Sequence, residues 1–380
     1  MPTLDELRAR IDALDQGLVK TIAERQRVVD ELTQLKANDP DRNLRDPLRE
    51  GEILARLSAL AGQLGLSGNF VRRLFREIMD FSLRSQQHHV LDQLNSTLRK
   101  DELTVAYQGV AGAYSQLAAE QHFAPYKGQL HTVGYPGFFA MLDAVQKGAA
   151  DFGMLPVENT TAGSVSEAYE LLTQTKLSVV GEELVRVEHC LIGLPGARPE
   201  QLRRVFSHPQ ALAQSSVFLG GLPDCAVQAF TDTALSVQKV RDEGDPTQGA
   251  VASERAAGLY GLSILARNIE NQRDNYTRFM VVSRTPLRLD ERIACKTSLI
   301  FSTRHERGAL VRCLNVLSDA GLNLTKLESR PRPSSPFEYL FYVDFEGNLE
   351  SEAVQAALVA MQAHTNYFNV LGCYPQRVLR

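Results

Sequence analysis

The chain has 380 residues, a formal net charge of −4 and no tryptophan, so it is long enough for two or three domains. The small negative charge gives no general attraction to nucleic acid, and any anionic ligand must be held by local clusters of cations. Five scattered cysteines without a CxxC pair argue against a zinc site or a disulfide framework, and no apolar run approaches membrane-spanning length. We therefore expect a cytoplasmic protein that binds neither metal, nucleic acid nor membrane.

The first predicted element is one long amphipathic helix from Leu4 to Leu35, with apolar residues on a seven-residue repeat. Arg25 occupies one of the apolar positions, where a guanidinium needs an anionic partner. Lys36 follows about three turns later on the same side, whereas Arg8 lies roughly 25 Å away along the axis. A ligand held by Arg25 and Lys36 could reach only the Arg8 of an antiparallel second copy. Alternatively, Arg25 only fixes the register of the helix.

A second helix is predicted to begin at Asp46-Pro47, which has the form of an N-cap followed by proline at the first helical position. Arg49 and Glu50 extend its apolar side as charges. A third helix is predicted from about Asn69 towards Leu98. Its apolar stripe continues as hydrogen-bonding side chains, Ser82 and Gln86 among them, and such interior polar groups need partners.

The motifs LRARIDALD, AERQRVV, RDPLRE and FSLRSQQ over residues 4 to about 90 resemble the all-helical chorismate mutase domain. The resemblance implies a rearrangement of chorismate to prephenate in which arginines clamp two carboxylates, and Lys36 and Gln86 donate to the ether oxygen. Glu50 would then be protonated or hydrogen-bonded through another donor. Asp46 could be only a helix cap, and Ser82 only an interhelical hydrogen bond. The ligand-contacting positions implied by the resemblance are Arg8 (from a second subunit), Arg25, Lys36, Asp46, Arg49, Glu50, Ser82 and Gln86.

From Leu103 to about Thr285 short strands alternate with helices, which indicates an α/β domain. GVAGAYS lacks the GxGxxG spacing of a dinucleotide site and reads as a weak anion-binding helix start. Three motifs fall at strand ends, where such domains bind ligands. These motifs are PVENTT at 156–161, SHPQ at 207–210 and NYTRF at 275–279.

The three motifs together resemble the prephenate dehydratase domain, which implies two α/β subdomains around a ligand cleft, like type-II periplasmic binding proteins. The reaction needs a proton for the leaving ring hydroxyl, and the resemblance gives the essential role to Thr277. A threonine is a poor acid in water, so Thr277 must be a polarised donor or part of a relay. His208 is a titratable candidate acid or a helix cap, and Arg278 a carboxylate clamp or an ion-pair partner. The other implied pocket residues are Glu158, Asn159, Thr160, Ser207 and Gln214.

The last segment is predicted to be βαββαβ, an α+β ferredoxin-like order. It resembles an ACT regulatory domain, which implies phenylalanine binding at a dimer interface. A glycine at a helix start suits close approach of an amino-acid carboxylate. The alternative is a plain helix start and an edge ion pair. The implied regulatory residues are Gly308, Ala309, Leu310, Val311, Glu328, Ser329, Arg330 and Pro331.

The sequence thus predicts three domains: a three-helix mutase domain that forms an intertwined dimer (1–95), a dehydratase domain (103–285) and a regulatory domain (296–376). The predicted function is a bifunctional enzyme of phenylalanine biosynthesis that needs no cofactor and forms a homodimer or a larger homo-oligomer. Its substrates would be chorismate and prephenate, with arogenate open as an alternative in the second site, and phenylalanine its effector. The other interpretations are a monofunctional dehydratase with a decayed mutase domain, and a non-catalytic small-molecule sensor.

Overall fold

The computed structural model describes residues 2–37, 39, 43–95, 99–332 and 338–377. The chain divides into two units, one formed by residues 1–99 with 290–293 and the other by residues 100–289 with 294–380. The helical unit contains α1 (Leu4–Ala37), α2 (Pro47–Gln63) and α3 (Gly68–Leu94). These are the three predicted helices, although the predicted continuation of the third towards Leu98 lies outside the described residues.

Local capping explains where α2 and α3 begin. The Asp46 carboxylate accepts a hydrogen bond from the backbone N–H of Arg49 at 3.0 Å, and Pro47 occupies the first helical position. The Ser67 hydroxyl accepts from Phe70 N–H in the same way. Each cap satisfies a backbone donor that the helix itself leaves unpaired.

The α/β part of the second unit alternates strands and helices as predicted. Its strands are β1 (Glu102–Gln108), β2 (Gln129–Tyr135), β3 (Phe152–Asn159), β4 (Gly163–Ser164), β5 (Ser178–Arg186), β6 (Cys190–Gly193), β7 (Arg204–Ser207), β8 (Ala226–Ala229), β9 (Gln248–Ala252), β10 (Ser263–Ala266) and β11 (Tyr276–Ser283). Its helices are α4 (Tyr114–His122), α5 (Phe138–Lys147), α6 (Ser166–Gln174), α7 (Pro209–Gln214), α8 (Ser216–Leu219), α9 (Thr233–Glu243) and α10 (Glu254–Tyr260).

These strands form two sheets, which define two subdomains. The first sheet has the order β2-β1-β3-β11-β5, with β4 on β3, and the second has the order β10-β6-β9-β7-β8. Strand β11 is the last of these strands along the chain, yet it lies between β3 and β5 and is antiparallel to both. The chain therefore crosses between the subdomains twice, through residues 187–189 and 267–275, which is the two-subdomain α/β architecture that the sequence predicted.

The C-terminal segment follows the order β12 (Cys295–Thr303), α11 (Ala309–Asp319), β13 (Asn323–Pro331), β14 (Tyr339–Glu346), α12 (Glu352–Gln362), β15 (Thr365–Pro375). Its antiparallel sheet has the strand order β13-β14-β12-β15. The predicted start of β14 at Phe337 lies outside the described residues.

The C-terminal sheet has a core on each face. One face packs against α11 and α12 around Phe301 and Phe345. The other contributes Ile300, Tyr342 and Leu371 to the same buried cluster as the first subdomain's Leu155 and Tyr169. The Tyr342 hydroxyl donates to the Tyr169 carbonyl at 3.0 Å. The C-terminal sheet and the first subdomain therefore share one core.

None of the helices among the described residues combines the length and the apolar character needed to cross a bilayer. All five cysteines are free thiols.

Candidate active sites

In the helical unit, the structure brings together Arg25 of α1 and Ser82 of α3. The guanidinium donates to the Ser82 hydroxyl at 2.7 Å, and that hydroxyl has the carbonyl of Ile78 at 2.9 Å and the side-chain oxygen of Gln26 at 3.2 Å as alternative acceptors for its one proton. Burial lowers the pKa of Arg25, and no carboxylate among the described residues lies within ion-pair distance of it. A partly buried cation without an anionic partner is the arrangement expected of an anion site.

Gln86 lies one turn beyond Ser82 on the same side of α3 and is only 8% exposed. Its side-chain oxygen is buried and has no hydrogen-bond partner in the described part of the chain. A buried amide oxygen left unpaired costs about 1–3 kcal/mol, so a ligand or a second chain is expected to satisfy it. The adjacent Gln87 is also buried, and sequence analysis missed it.

The loop between α1 and α2 determines the positions of the other predicted mutase residues. The Lys36 amine donates to the carbonyl of Leu44 at 2.7 Å. Glu50 accepts two bonds from the Arg45 guanidinium, at 3.1 and 3.0 Å. Arg45 is therefore a donor to Glu50, and no signal in the sequence marked it. Asp46 is used as the cap of α2.

Two predicted arginines are not part of this group. Arg8 lies beside Asp5 at 3.6 Å, with two thirds of its side chain exposed, and Arg49 pairs with Glu52 on the surface. The apolar positions of α1 that flank Arg8 are equally uncovered within the chain. Their exposed fractions run from 41% to 68% across Leu4, Leu7, Ile11, Leu14 and Leu18.

In the α/β part, Asn159 at the end of β3 and Thr277 at the start of β11 are register partners on neighbouring strands. The Asn159 amide nitrogen lies 3.0 Å from the Thr277 hydroxyl oxygen and 2.8 Å from the side-chain oxygen of Asn275. The Asn159 oxygen accepts from Thr161 and, at 3.2 Å, from the amide of Gln214 on α7. These five polar side chains form one network at the strand ends.

The network borders a cleft of about 230 Å³, lined by Thr161, Gln214, Glu270, Asn271 and Asn275 among others. Asn275 is 1% exposed, and its amide nitrogen has no hydrogen-bond partner within the described residues. The sequence placed Asn275 within a motif but gave it no role. The structure makes it an unused donor beside the cleft.

Three predicted pocket residues have structural partners instead. The Ser207 hydroxyl is fully buried and donates to the carbonyl of Val251 at 2.6 Å. His208 is the N-cap of α7 and accepts from the Gln210 N–H at 3.2 Å, which agrees with the cap interpretation. Thr160 accepts from Tyr276 N–H at 2.9 Å and lies outside the polar network around Asn159.

Arg278 and Glu158 are neighbours of Thr277 and Asn159 in sequence and face the opposite side of the sheet, as alternation along a strand requires. The Arg278 guanidinium donates to Glu182 at 2.8 Å, to Asp344 at 2.5 Å and to the Tyr374 hydroxyl at 2.9 Å. Burial opposes its charge, but these oxygens outweigh burial and hold the pKa of Arg278 well above its ordinary value. This geometry favours the interpretation of Arg278 as an ion-pair partner over that of a substrate clamp, because each of its three side-chain nitrogens bonds a protein oxygen.

Glu158 likewise faces the C-terminal sheet, where it pairs with the Lys326 amine at 3.0 Å. Lys326 also bonds to Ser164 at 3.1 Å and lies 3.5 Å from Glu328. Glu328 in turn pairs with Arg330 at 2.6 Å. Lys326 lies two residues before Glu328 on β13. It thus connects the predicted prephenate residue Glu158 to the predicted regulatory motif.

The two predicted regulatory motifs differ in their surroundings. Gly308 has φ +73° and precedes α11, and a cavity of about 560 Å³ is lined by residues 303–311, which include Ala309, Leu310 and Val311. At the end of β13, Arg330 donates to Ser166 at 2.7 Å and Glu328 accepts from Ser164, while Ser329 and Pro331 are exposed. The first motif therefore borders a cavity of ligand size.

Comparison with known proteins follows the same division of the chain. Residues 7–87 match the chorismate mutase type II family, and residues 105–287 match the prephenate dehydratase family. The chain is 36% identical over 369 residues to a bifunctional chorismate mutase/prephenate dehydratase of Enterobacter agglomerans, covering 97% of this chain and 95% of that relative. It is also 39% identical over 290 residues to the chloroplastic arogenate dehydratase 5 of Arabidopsis thaliana, covering 72% of this chain and 67% of the relative.

Among solved structures, prephenate dehydratase from Arthrobacter aurescens in complex with L-Phe is similar, with a TM-score of 0.65 and 26% identity, covering 72% of this chain and 90% of that one. The two families match the two units that carry the polar clusters around Arg25 and Thr277, and the first relative spans both. The chain belongs to the bifunctional chorismate mutase/prephenate dehydratase family.

Proposed function

We propose that chorismate rearranges to prephenate beside Arg25, Ser82 and Gln86. The rearrangement is pericyclic and needs no nucleophile, so catalysis can come from holding the compact conformer and stabilising charge on the ether oxygen. Arg25 would bind a carboxylate, while Gln86, with Lys36 released from the Leu44 carbonyl, would donate to the ether oxygen. The observation that carries this assignment is the partly buried Arg25 cation, which has no anionic partner in the described part of the chain. Lys36→Ala or Gln86→Ala should abolish mutase turnover and leave the dehydratase rate unchanged; wild-type mutase rates would reject this pocket.

We further propose that the mutase pocket is shared between two chains. The uncovered apolar seam of α1 supports this, because burying such a stripe against a second copy is its most favourable use. An antiparallel copy would bring the partner's Arg8 to the site of Arg25.

Mixing two inactive variants tests this sharing. If each pocket combines Arg8 of one chain with Arg25 of the other, a heterodimer of Arg8→Ala and Arg25→Ala chains contains one intact pocket. Co-expression should then restore about one quarter of wild-type mutase activity, given random pairing into two-fold dimers. Activity that stays at the level of the separate variants would show that both arginines act within one chain or not at all.

For the second reaction we propose that Thr277 relays a proton: its hydroxyl gives one to the ring hydroxyl of prephenate, which leaves as water, and regains one from solvent. The C–C bond to the ring carboxylate then breaks, carbon dioxide departs, and the bonding electron pair completes the aromatic ring of phenylpyruvate. Because Asn159 donates to the Thr277 oxygen, the hydroxyl is polarised, and its own proton has no acceptor among the described residues. Asn275 would supply a further donor to the substrate, which approaches through the 230 Å³ cleft.

Substitution of Thr277 tests this role. Thr277→Ala should lose dehydratase turnover by about 10²–10⁴-fold, the usual range for a positioned proton donor, whereas Thr277→Ser should keep much of it. Mutase turnover of the same sample is the control for the amount of enzyme, and thermal melting is the control for folding of the second unit. Turnover retained in Thr277→Ala would show that another group donates the proton.

Arogenate is a second candidate substrate because of the similarity to the Arabidopsis arogenate dehydratase, and competition between the two substrates at equal concentration would rank them.

We infer that the C-terminal βαββαβ segment is a ferredoxin-like ACT domain that binds phenylalanine at residues 308–311 and 328–331. The cavity beside Gly308 and the solved relative in complex with L-Phe support this inference. Phenylalanine should inhibit the dehydratase, and Gly308→Val should relieve the inhibition because the side chain would enter the cavity at a positive-φ position.

We also propose a cytoplasmic location, which cell fractionation would test.

A further inference from the structure

His189 is a buried histidine outside the motifs discussed so far. It lies in the first crossover between the subdomains, between β5 and β6, and is 2% exposed. Its backbone N–H donates to the Glu270 carboxylate at 3.0 Å, and its carbonyl accepts from Ile269 N–H at 3.0 Å. Both partners belong to the second crossover, so His189 is fixed where the two connections meet.

The side chain of His189 touches one residue from each subdomain. The Nε2 atom lies 2.9 Å from the side-chain oxygen of Gln214 on α7, and Nδ1 lies 3.3 Å from the Tyr114 hydroxyl on α4. Burial lowers the pKa of His189, so the neutral ring has one donor and one acceptor. The Tyr114 hydroxyl also bonds the carbonyl of Glu188 at 2.6 Å.

Gln214 decides which ring nitrogen carries the proton. Its amide nitrogen is used towards Asn159 and Thr161, so its oxygen must face His189 as an acceptor. The Nε2 atom of His189 is therefore the donor. The Tyr114 hydroxyl gives its one proton to the Glu188 carbonyl at 2.6 Å, so it does not donate to Nδ1. The bond to Gln214 alone assigns the neutral tautomer.

The bonds from His189 onward run in one direction. His189 donates to Gln214, Gln214 to the Asn159 oxygen, and the Asn159 amide nitrogen to the Thr277 oxygen. Each group that accepts a bond on one side becomes a stronger donor on the other. We propose that His189 is a positioning residue of the dehydratase reaction, which holds the Gln214 amide in the polar network around Asn159 and Thr277.

Loss of the His189 donor would act on Gln214. Without the Nε2 donor, the Gln214 amide can turn over, and its nitrogen then no longer bonds the Asn159 oxygen and the Thr161 hydroxyl. Asn159 keeps its orientation, because its oxygen also accepts from the backbone N–H groups of Thr161 and Ala162. The cleft would then lose the fixed polar group that Gln214 provides, although every pocket residue would still be present.

A matched pair of variants at position 189 separates positioning from filling space. In His189→Gln the side-chain nitrogen lies near the position of Nε2 and can still donate to Gln214, whereas His189→Asn reaches only the position of Nδ1. We expect His189→Asn and His189→Leu to lower the dehydratase kcat by about 10- to 100-fold with a smaller change in KM. His189→Gln should be at least about tenfold faster than His189→Asn. Mutase turnover and thermal melting of each full-length variant serve as folding controls.

The inference rests on the proposed role of Thr277, and the outcomes of the two tests are distinct. If Thr277→Ala is inactive but His189→Leu keeps wild-type kcat, or His189→Gln is no faster than His189→Asn, His189 does not position the Gln214 amide. A lower kcat that is accompanied by a lower melting temperature or by lower mutase activity would likewise assign His189 to folding alone. If Thr277→Ala stays active, the proposed proton donor fails first, whatever the variants at position 189 do.

Discussion

Replacing Arg278 by methionine removes one cation from a buried group of four charges. Arg278 contacts Glu182 and Asp344, and Lys296 contacts Glu182 at 2.9 Å, so the group holds two cations and two anions. The wild-type group is neutral, whereas Arg278→Met leaves one carboxylate buried without its partner. The same substitution would remove only a surface contact with substrate if Arg278 were a clamp.

The expected loss of stability is large. Breaking a buried ion pair by removing one partner destabilises by about 3–5 kcal/mol. Unfolding entropy scales with length, and the second unit has about 280 residues, so this corresponds to a fall in melting temperature of roughly 5–9 °C. The double variant Arg278→Met/Asp344→Asn restores neutrality and should recover about 1–3 kcal/mol relative to the sum of the single variants.

Scanning calorimetry of the wild type, both single variants and the double variant measures these terms. Mutase turnover before the scan confirms that the helical unit is unaffected, since the substitution lies in the other unit. The dehydratase kcat should fall as well, because Arg278 is adjacent to Thr277 on β11. An unchanged melting temperature together with a raised KM for prephenate would refute the ion-pair reasoning and restore the clamp, and strictly additive single variants would refute the charge balance.

Three further predictions concern stability and regulation. Lys326→Met, which leaves the Glu158 carboxylate unpaired, should weaken inhibition by phenylalanine about fivefold or more in a dose–response assay, and the exposed Lys176→Met should not. Burial lowers the pKa of His122, so below about pH 6.5 the unfolded chain binds a proton that the folded protein does not. The free energy of unfolding should then decrease by up to about 1.4 kcal/mol for each unit by which the pH is lowered. Urea titrations at several pH values should show a smaller dependence of this free energy on pH for His122→Gln. Gly372→Ala should destabilise by about 3 kcal/mol in thermal melting, because the added carbon would meet a backbone carbonyl oxygen at 1.9 Å.

The helices and their caps could be predicted because the signals are local. The repeat from Leu4 to Leu35 and the Asp46-Pro47 start are each contained in a few turns, and the structure confirms both. Partners between distant parts of the chain could not be predicted. Arg45 with Glu50 depends on the loop conformation, and His189 with Gln214 depends on how two subdomains meet.

Strand alternation contains information about the positions of Thr277 and Arg278. Thr277 and Arg278 are consecutive residues of a predicted strand, and consecutive side chains of a strand point to opposite faces. They could not both line one cleft. The alternation alone predicts that the Arg278 side chain lies on the face of the sheet opposite to that of Thr277. It does not identify Glu182 and Asp344 as the partners of Arg278.

The core that the C-terminal sheet shares with the first subdomain has a consequence for the lifetime of the enzyme. Because Tyr342 and Leu371 belong to the same buried cluster as Leu155 and Tyr169, neither part can open without exposing the other. An amino acid held by the C-terminal domain at a hundred times its dissociation constant would therefore stabilise the catalytic subdomain by about 2.7 kcal/mol. If phenylalanine binds there and inhibits as proposed, the inhibited enzyme would also be the more stable one, so that a resting pool survives until demand for the amino acid returns.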